Sequence, residues 1–272
     1  MAKDIMSAHP PATSLFRLDG RIAFVSGAAG HLGRAMSTAL AEAGAHVILN
    51  GRKAAPLEAF AGELKSAGHS AEAQAFDMGD IETVRAFFAS CPRLDILVNN
   101  AVSMTPAPFD ALDAAAFEET YRSSVTAAFE AVRAARPALR AAVTAHGDAS
   151  IVNISSMYGV VSPDKRIYAR PEQASPAHYG PAKAALLQLT RHLAAELGPE
   201  KIRVNALVPG PFPRPEVGAA DPDFAARLAA RTMLGRTGAA DEIRGPLLFL
   251  ASPASSFVTG ASLAIDGGWT AW

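Results

Sequence analysis

The strongest constraint on this chain is the rhythm of its apolar residues. Short runs rich in β-branched residues, at 22–25, 47–49, 96–98, 151–154, 204–208 and 263–265, alternate with longer stretches of helical spacing. The short runs are almost continuously apolar, as parallel strands covered on both faces must be. A weaker strand is expected over 70–76. Helical patterns occupy 32–43, 57–67, 81–89, 117–143, 177–197 and 240–251. This β-α alternation predicts an α/β protein with a doubly wound parallel β-sheet, a Rossmann fold in a single domain. The chain's 272 residues suffice for one such domain with a substantial core.

Residues 1–17 read as a flexible leader and 18–272 as the domain. Two segments break the rhythm. One, 162–175, holds Pro163, Asp164, Lys165, Arg166, Arg170, Pro171 and Glu172, and the other, 209–223, holds five prolines. Proline excludes both from regular helix, so 162–176 and 209–235 are expected to be substrate loops.

The net charge of −1 gives no argument for nucleic acid or an anionic membrane as partner. Cys91 is the single cysteine, so no intrachain disulfide can form, and it reads as a small buried hydrophobe. No metal-ligand cluster is visible. Residues 1–16 lack the apolar stretch of a secretion signal, and no apolar run reaches the length of a membrane span. A cytoplasmic enzyme acting on a small molecule is expected.

Three local patterns carry chemistry. Directly after the first strand comes Ser26-Gly27-Ala28-Ala29-Gly30-His31-Leu32-Gly33, and then a helix. Glycines let backbone N–H groups approach a pyrophosphate, and a helix N-terminus adds partial positive charge. The second strand ends in Asn50-Gly51-Arg52-Lys53, where NAD sites usually place a carboxylate on the ribose 2′-hydroxyl. Arg52 and Lys53 instead suit a 2′-phosphate, which favours NADP(H) and leaves NAD(H) open, with Asn50 able to serve either ribose. Finally, Tyr179 and Lys183 lie four residues apart at the head of a predicted helix, on one face. A cation beside a phenol lowers its pKa from about 10 and readies it for proton transfer. Alone, such a pair on a helix is more often surface packing.

Taken in order with Asn99-Asn100-Ala101 and Ile154-Ser155-Ser156, these patterns resemble the short-chain dehydrogenase/reductase superfamily in its single-domain branch. The likeness runs from Leu18 to Trp272 and is strongest to sugar and polyol oxidoreductases of the gluconate 5-dehydrogenase kind. It implies Tyr179 as general acid/base, Lys183 as the residue that tunes Tyr179 and holds the nicotinamide ribose, and Ser156 as the hydroxyl on the substrate oxygen. The bland alternative for Ser156 is a strand-end serine capping backbone. The resemblance also places Gly27, Gly30, His31, Leu32 and Gly33 at the phosphates. It puts Asp77 and Met78 at the adenine, Asn99 and Ala101 near the adenosine ribose, and Pro209, Gly210 and Phe212 over the nicotinamide.

Departures from the family pattern are specific. His31 stands where a glycine is usual, Val102 replaces a glycine after Asn-Asn-Ala, and Arg214 replaces a threonine. The family's catalytic asparagine matches Ser124, whose shorter side chain alters any proton relay. Ser156 and Tyr179 are 23 positions apart, a longer separation than the family usually shows, and the surplus is the 162–175 segment.

The expected reaction is therefore reversible hydride transfer between nicotinamide and a secondary alcohol or ketone, on a sugar acid, polyol or related hydroxy/oxo compound. Arg214 and Arg166 are candidate contacts for an anionic substrate, and Tyr158 a candidate pocket residue. A 3-oxoacyl-thioester reductase and a non-catalytic NADP-binding regulatory protein are the alternatives. The terminal tryptophans, Trp269 and Trp272, suggest an interface, and the resemblance implies a homotetramer.

Overall fold

The computed structural model describes residues 11–170 and 173–272. Among them, seven strands form one wholly parallel sheet: β1 (Ile22–Val25), β2 (His46–Gly51), β3 (Ala71–Ala75), β4 (Ile96–Asn99), β5 (Ala149–Ile154), β6 (Ile202–Pro209) and β7 (Ser262–Ile265). Their spatial order is β3-β2-β1-β4-β5-β6-β7. Every strand expected from sequence is present, including the weak third one. Each helix that follows a strand must cross back over the sheet, so successive crossovers cover both faces.

The helices are α1 (His31–Glu42), α2 (Ala54–Ser66), α3 (Ile81–Ser90), α4 (Ala114–Tyr121), α5 (Ala127–His146), α6 (Tyr179–Leu197), α7 (Pro215–Ala220), α8 (Pro222–Ala230) and α9 (Arg244–Ala251). Alternation along β1 shows how they sort. Ala23 and Val25 face a core shared with α1, α2 and α9, whereas Phe24 faces a core shared with α3, α5 and α6. Strand order reverses between β1 and β4, and Val25 of β1 pairs with Leu49 of β2 on one side and Val98 of β4 on the other. A crevice opens at the carboxyl ends of strands at such a switch point.

Three sequence expectations need correction. The helix expected over 117–143 is two helices joined by a π-helical turn at Arg122–Thr126. Ser124 Oγ donates to the Thr120 carbonyl at 2.5 Å, and such back-bonding widens and bends a helix. The 209–223 segment is not helix-free, because α7 and α8 lie there. Pro215 and Pro222 each occupy a first-turn position whose N–H has no intrahelical partner anyway, and Asp221 caps α8 by accepting from Phe224 N at 2.8 Å. The leader is partly ordered, with a 3-10 turn over Ala12–Phe16. Residues 1–10 of that leader, and Pro171 and Glu172 of the insertion, lie outside the described residues.

The two tryptophans part company. Trp269 is 4% exposed and packs inside its own chain against Met157, Ile167 and Leu228, so it does not belong to an interface. Trp272 is exposed. No helix among the described residues is long and apolar enough to cross a membrane. No group of three or more His, Cys, Asp or Glu side chains among them is placed to hold a metal.

Aromatic packing anchors one face. Phe88 on α3 meets Phe24 on β1 edge-on at 4.8 Å between ring centroids, and Phe87 at 5.1 Å. Truncating a large buried ring removes transfer energy and leaves a cavity. Phe88→Ala should lower the unfolding free energy by about 3–5 kcal/mol, read as a fall in the urea midpoint. An unchanged midpoint would mean that this cluster carries no such load.

Candidate active site

A cleft of about 570 Å³ opens at the carboxyl ends of the strands. Six strand ends feed it: Gly27 after β1, Asn50 to Arg52 at β2, Phe76 to Met78 after β3, Asn100 to Ser103 after β4, Ile154 to Ser156 at β5, and Pro209, Gly210 and Phe212 at and after β6. Gly30, the first residues of α1 (His31, Leu32 and Gly33), Ser123, Arg214, and Tyr179 and Lys183 of α6 complete it.

The turn after β1 is shaped by contact. Gly27 holds φ 65°, which side chains disfavour. A Cβ on Gly33 would lie 2.1 Å from the Gly27 carbonyl oxygen, so only glycine lets α1 press against the turn. Ser26 fixes the turn to β4, because its Oγ accepts from Asn100 N and Ala101 N, both at 2.9 Å. Asn100 reciprocates by donating from Nδ2 to the Ser26 carbonyl at 2.8 Å. Helix α1 has no side-chain cap, so its leading N–H groups face the cleft without a protein acceptor at their end.

Two buried polar atoms lining this part of the cleft, His31 Nε2 and Asn50 Oδ1, have no partner among the described residues. Arg52 stands exposed at the rim after β2. Asp77 is the only carboxylate among the described lining residues, and it comes after β3. An uncapped helix, unsatisfied polar atoms and a rim guanidinium fit a phosphorylated dinucleotide. His31 is itself one of the lining residues of this cleft.

The ends of β5 and α6 are stitched together in both directions. Lys183 Nζ donates to the Ile154 carbonyl at 2.8 Å, and Ser155 Oγ donates to the Lys183 carbonyl at 2.8 Å. The head of α6 comes so close that a Cβ on Gly180 would lie 2.8 Å from the Tyr158 carbonyl oxygen. Ser156 therefore sits beside Tyr179. Its Oγ accepts from Tyr158 N at 3.2 Å, and its hydroxyl hydrogen is left to donate to Tyr179. Ser156 both caps a backbone turn and lines the cleft.

The electrostatics differ from the simple expectation. In the protein by itself Tyr179 is pushed up from its usual pKa, because burial of the phenolate outweighs the opposing hydrogen bond from Ser156. Lys183, 3% exposed, is pushed down to about 8 by the same desolvation. Its ammonium is 5.6 Å from the Tyr179 ring centroid and is held by the Ile154 carbonyl.

Four expected site residues lie off the cleft. Asn99 is buried, and its Nδ2 donates to Asn153 Oδ1 at 2.9 Å, so its side chain ties β4 to β5. Ser124 turns into its own helix, while Ser123 lines the cleft instead and accepts from Ser103 N at 2.9 Å. Tyr158 shares a 2.7 Å hydroxyl contact with Tyr168 and packs edge-on against Trp269. Arg166 pairs with Asp164 at 2.8 Å and its side chain is 84% exposed. Asn100, Ser103, Ser123 and Ser155 are cleft residues that sequence reasoning passed over. Asn100 and Ser155 sat inside recognised motifs, but the π-helical turn that exchanges Ser123 for Ser124 left no periodic signal.

Comparison with known proteins agrees with this architecture. A family model described as Enoyl-(Acyl carrier protein) reductase matches residues 27–270. The chain is 38% identical over 256 residues to a cis-4-hydroxycyclohexanecarboxylate dehydrogenase from Sinomonas cyclohexanicum, covering 92% of this chain and 97% of the relative. It is 34% identical over 259 residues to a rhamnolipid-biosynthesis 3-oxoacyl-[acyl-carrier-protein] reductase from Pseudomonas aeruginosa, covering 93% and 98%. A gluconate 5-dehydrogenase from Burkholderia cenocepacia, solved in complex with NADP and tartrate, superposes with a TM-score of 0.83 at 34% identity, over 96% of this chain and all of that one.

The buried Lys183 has a measurable consequence. Below its folded pKa of about 8 both states hold the proton, whereas between there and the unfolded value the unfolded chain holds more. The Lys183 contribution to stability therefore rises with pH across that window. Wild type should gain about 1.5 kcal/mol relative to Lys183→Met between about pH 8 and 9.5, measured by urea unfolding of each. Parallel pH profiles for the two proteins would show that the ammonium is not desolvated.

Proposed function

Since the chain belongs to the short-chain dehydrogenase/reductase family, we propose that it is an NADP(H)-dependent oxidoreductase interconverting a secondary alcohol and a ketone on a small carboxylate-bearing molecule. The observation that carries this reading is the meeting of Ser156, Tyr179 and Lys183 in one cleft with the uncapped end of α1 and Arg52.

The backbone N–H groups at the start of α1, with His31 beside them, would hold the pyrophosphate, and Asn50 would serve the ribose. Arg52 would pair with the 2′-phosphate, and Asp77 and Met78 would border the adenine. When bound, the dinucleotide supplies or takes up the hydride. Tyr179 Oη moves the proton: it donates to the carbonyl oxygen in reduction and accepts from the hydroxyl in oxidation. Its raised pKa keeps it protonated at neutral pH, the form that reduction requires. Ser156 donates to the same oxygen, where negative charge develops in the transition state. Lys183 brings a positive charge close to Tyr179 and eases its deprotonation in the oxidative direction.

Arg214, exposed at the cleft rim after β6, supplies a cation for the substrate. It stands across the sheet from Asp77, five strands away in the order. The relative named for a cyclic hydroxy acid and the neighbour solved with tartrate support a carboxylate-bearing substrate. Sugar acids are the leading candidates. The Pseudomonas relative favours 3-oxoacyl thioesters as a second reading.

One experiment separates these. Aldonic acids, cyclic and linear keto acids, neutral polyols and acetoacetyl thioesters are assayed with NADP(H) and NAD(H) through the reduced cofactor's absorbance. Turnover is expected with carboxylates and NADP(H). Tyr179→Phe should lose about 100-fold to 10,000-fold in kcat, and Arg214→Ala should raise KM for the acid about tenfold but leave a neutral ketone unaffected. Near-normal turnover in Tyr179→Phe overturns the mechanism, and equal effects of Arg214→Ala on acid and neutral substrates remove the carboxylate contact.

The reading includes a cytoplasmic homotetramer. Exposed Phe129 on α5 and the half-exposed outer strand β7 support assembly through these elements. Light scattering at the tetramer mass is the expected result, and a monomer at micromolar concentration refutes it.

A further inference from the structure

We propose that His178 is a positioning residue that locks the cleft wall following β4 to the helix bearing Tyr179. The consequence for turnover rests on the function proposed above, whereas the lock itself does not. His178 immediately precedes Tyr179 and is 0% exposed. Its ring reaches two separate parts of the chain. Nε2 stands 3.2 Å from the Thr105 carbonyl oxygen, and Nδ1 stands 3.0 Å from Thr120 Oγ1. The ring also meets Phe117 of α4 edge-on, at 5.8 Å between centroids.

The wall needs such an anchor. Residues 100–108 have no regular secondary structure, yet Asn100 to Ser103 line the cleft. Their backbone groups must find partners outside any helix or sheet ladder. Ser103 N donates to Ser123 Oγ, and the Ser103 carbonyl accepts from Thr120 Oγ1 at 3.0 Å. The Thr105 carbonyl accepts from His178. A carbonyl can only accept, so in the neutral imidazole the ring hydrogen belongs on Nε2 and Nδ1 is an acceptor. The single Thr120 hydroxyl hydrogen thus has two acceptors within reach, the imidazole and the Ser103 carbonyl. His178 and Thr120 together join the wall, α4 and the start of α6. Displacement of such a wall by about 1 Å is enough to cost a large factor in rate.

His178→Ala, His178→Gln and Thr120→Val test this by amide hydrogen exchange, thermal melting, NADPH titration and steady-state kinetics. In His178→Ala, amides 103–105 should exchange at least about tenfold faster, with α6 and the central strands unchanged. With the ketone that wild type reduces, kcat/KM should fall about tenfold to a hundredfold, while the Kd for NADPH stays within about twofold because the α1 turn is untouched. His178→Gln, whose amide can donate where Nε2 does, should restore both wall protection and most of the rate. Unchanged exchange at 103–105 overturns the proposal. So does a loss of activity matched by exchange gains throughout the molecule, with no rescue by glutamine. Should His178→Ala fail to fold, Thr120→Val decides: faster exchange confined to 103–105 supports the lock, and native exchange there refutes it. If wild type turns over no ketone in the panel, the proposed function fails, and the exchange result still judges the lock.

Discussion

The site depends on the double stitch between the end of β5 and the first turn of α6. Lys183 reaches back to the Ile154 carbonyl, and Ser155 reaches forward to the Lys183 carbonyl. Each bond satisfies a buried polar group that would otherwise cost free energy in this apolar setting. Together they hold Ser156 beside Tyr179. The glycine at 180 permits the approach, since any side chain there would meet the Tyr158 carbonyl. The same contact that buries Lys183 also lowers its pKa, so the geometry and the electrostatics of this corner have one cause.

Burial explains why the Tyr179–Lys183 pair behaves unlike two groups on an open helix. On a solvated face the ammonium would pull the phenol down. Here both charged forms are desolvated, so the phenol rises and the ammonium falls. Both shifts favour the neutral forms of the pair. The rest of the cleft leans positive through Arg52 and Arg214, with Asp77 as its single described carboxylate. That balance suits an anionic cofactor and an anionic substrate in one groove.

The insertion between Ser156 and Tyr179 has a structural role visible in its contacts. Ile167 is buried with Met157, Leu228 and Trp269, Tyr168 lies against Phe224 of α8, and Arg227 of α8 donates to the Ile167 carbonyl at 2.7 Å. Asp164 pairs with Arg166 and lies 3.8 Å from Arg231. The segment thus ties α8 to the turn that follows Ser156. A charged, proline-bearing stretch serves here as packing material, and its Arg166 faces solvent away from the cleft.

The sequence by itself determined the sheet, the glycine turn, the missing carboxylate after β2 and the Tyr179–Lys183 pair. Each is a local pattern whose physics acts over a few neighbouring residues: apolar periodicity, positive φ, helical spacing. Most of the residues expected at the cofactor cleft do line it. Tertiary structure alone decided which side of a residue pair faces that cleft. Ser123 and not Ser124, and Asn100 with Asn99 turned into the sheet, follow from a helix widened by serine back-bonding and from a buried amide ladder between β4 and β5. The fate of Tyr158 and Trp269, the direction of the Tyr179 shift and the reach of His178 were equally hidden. All of them depend on contacts between residues far apart in the chain, and burial is a property that no local pattern specifies.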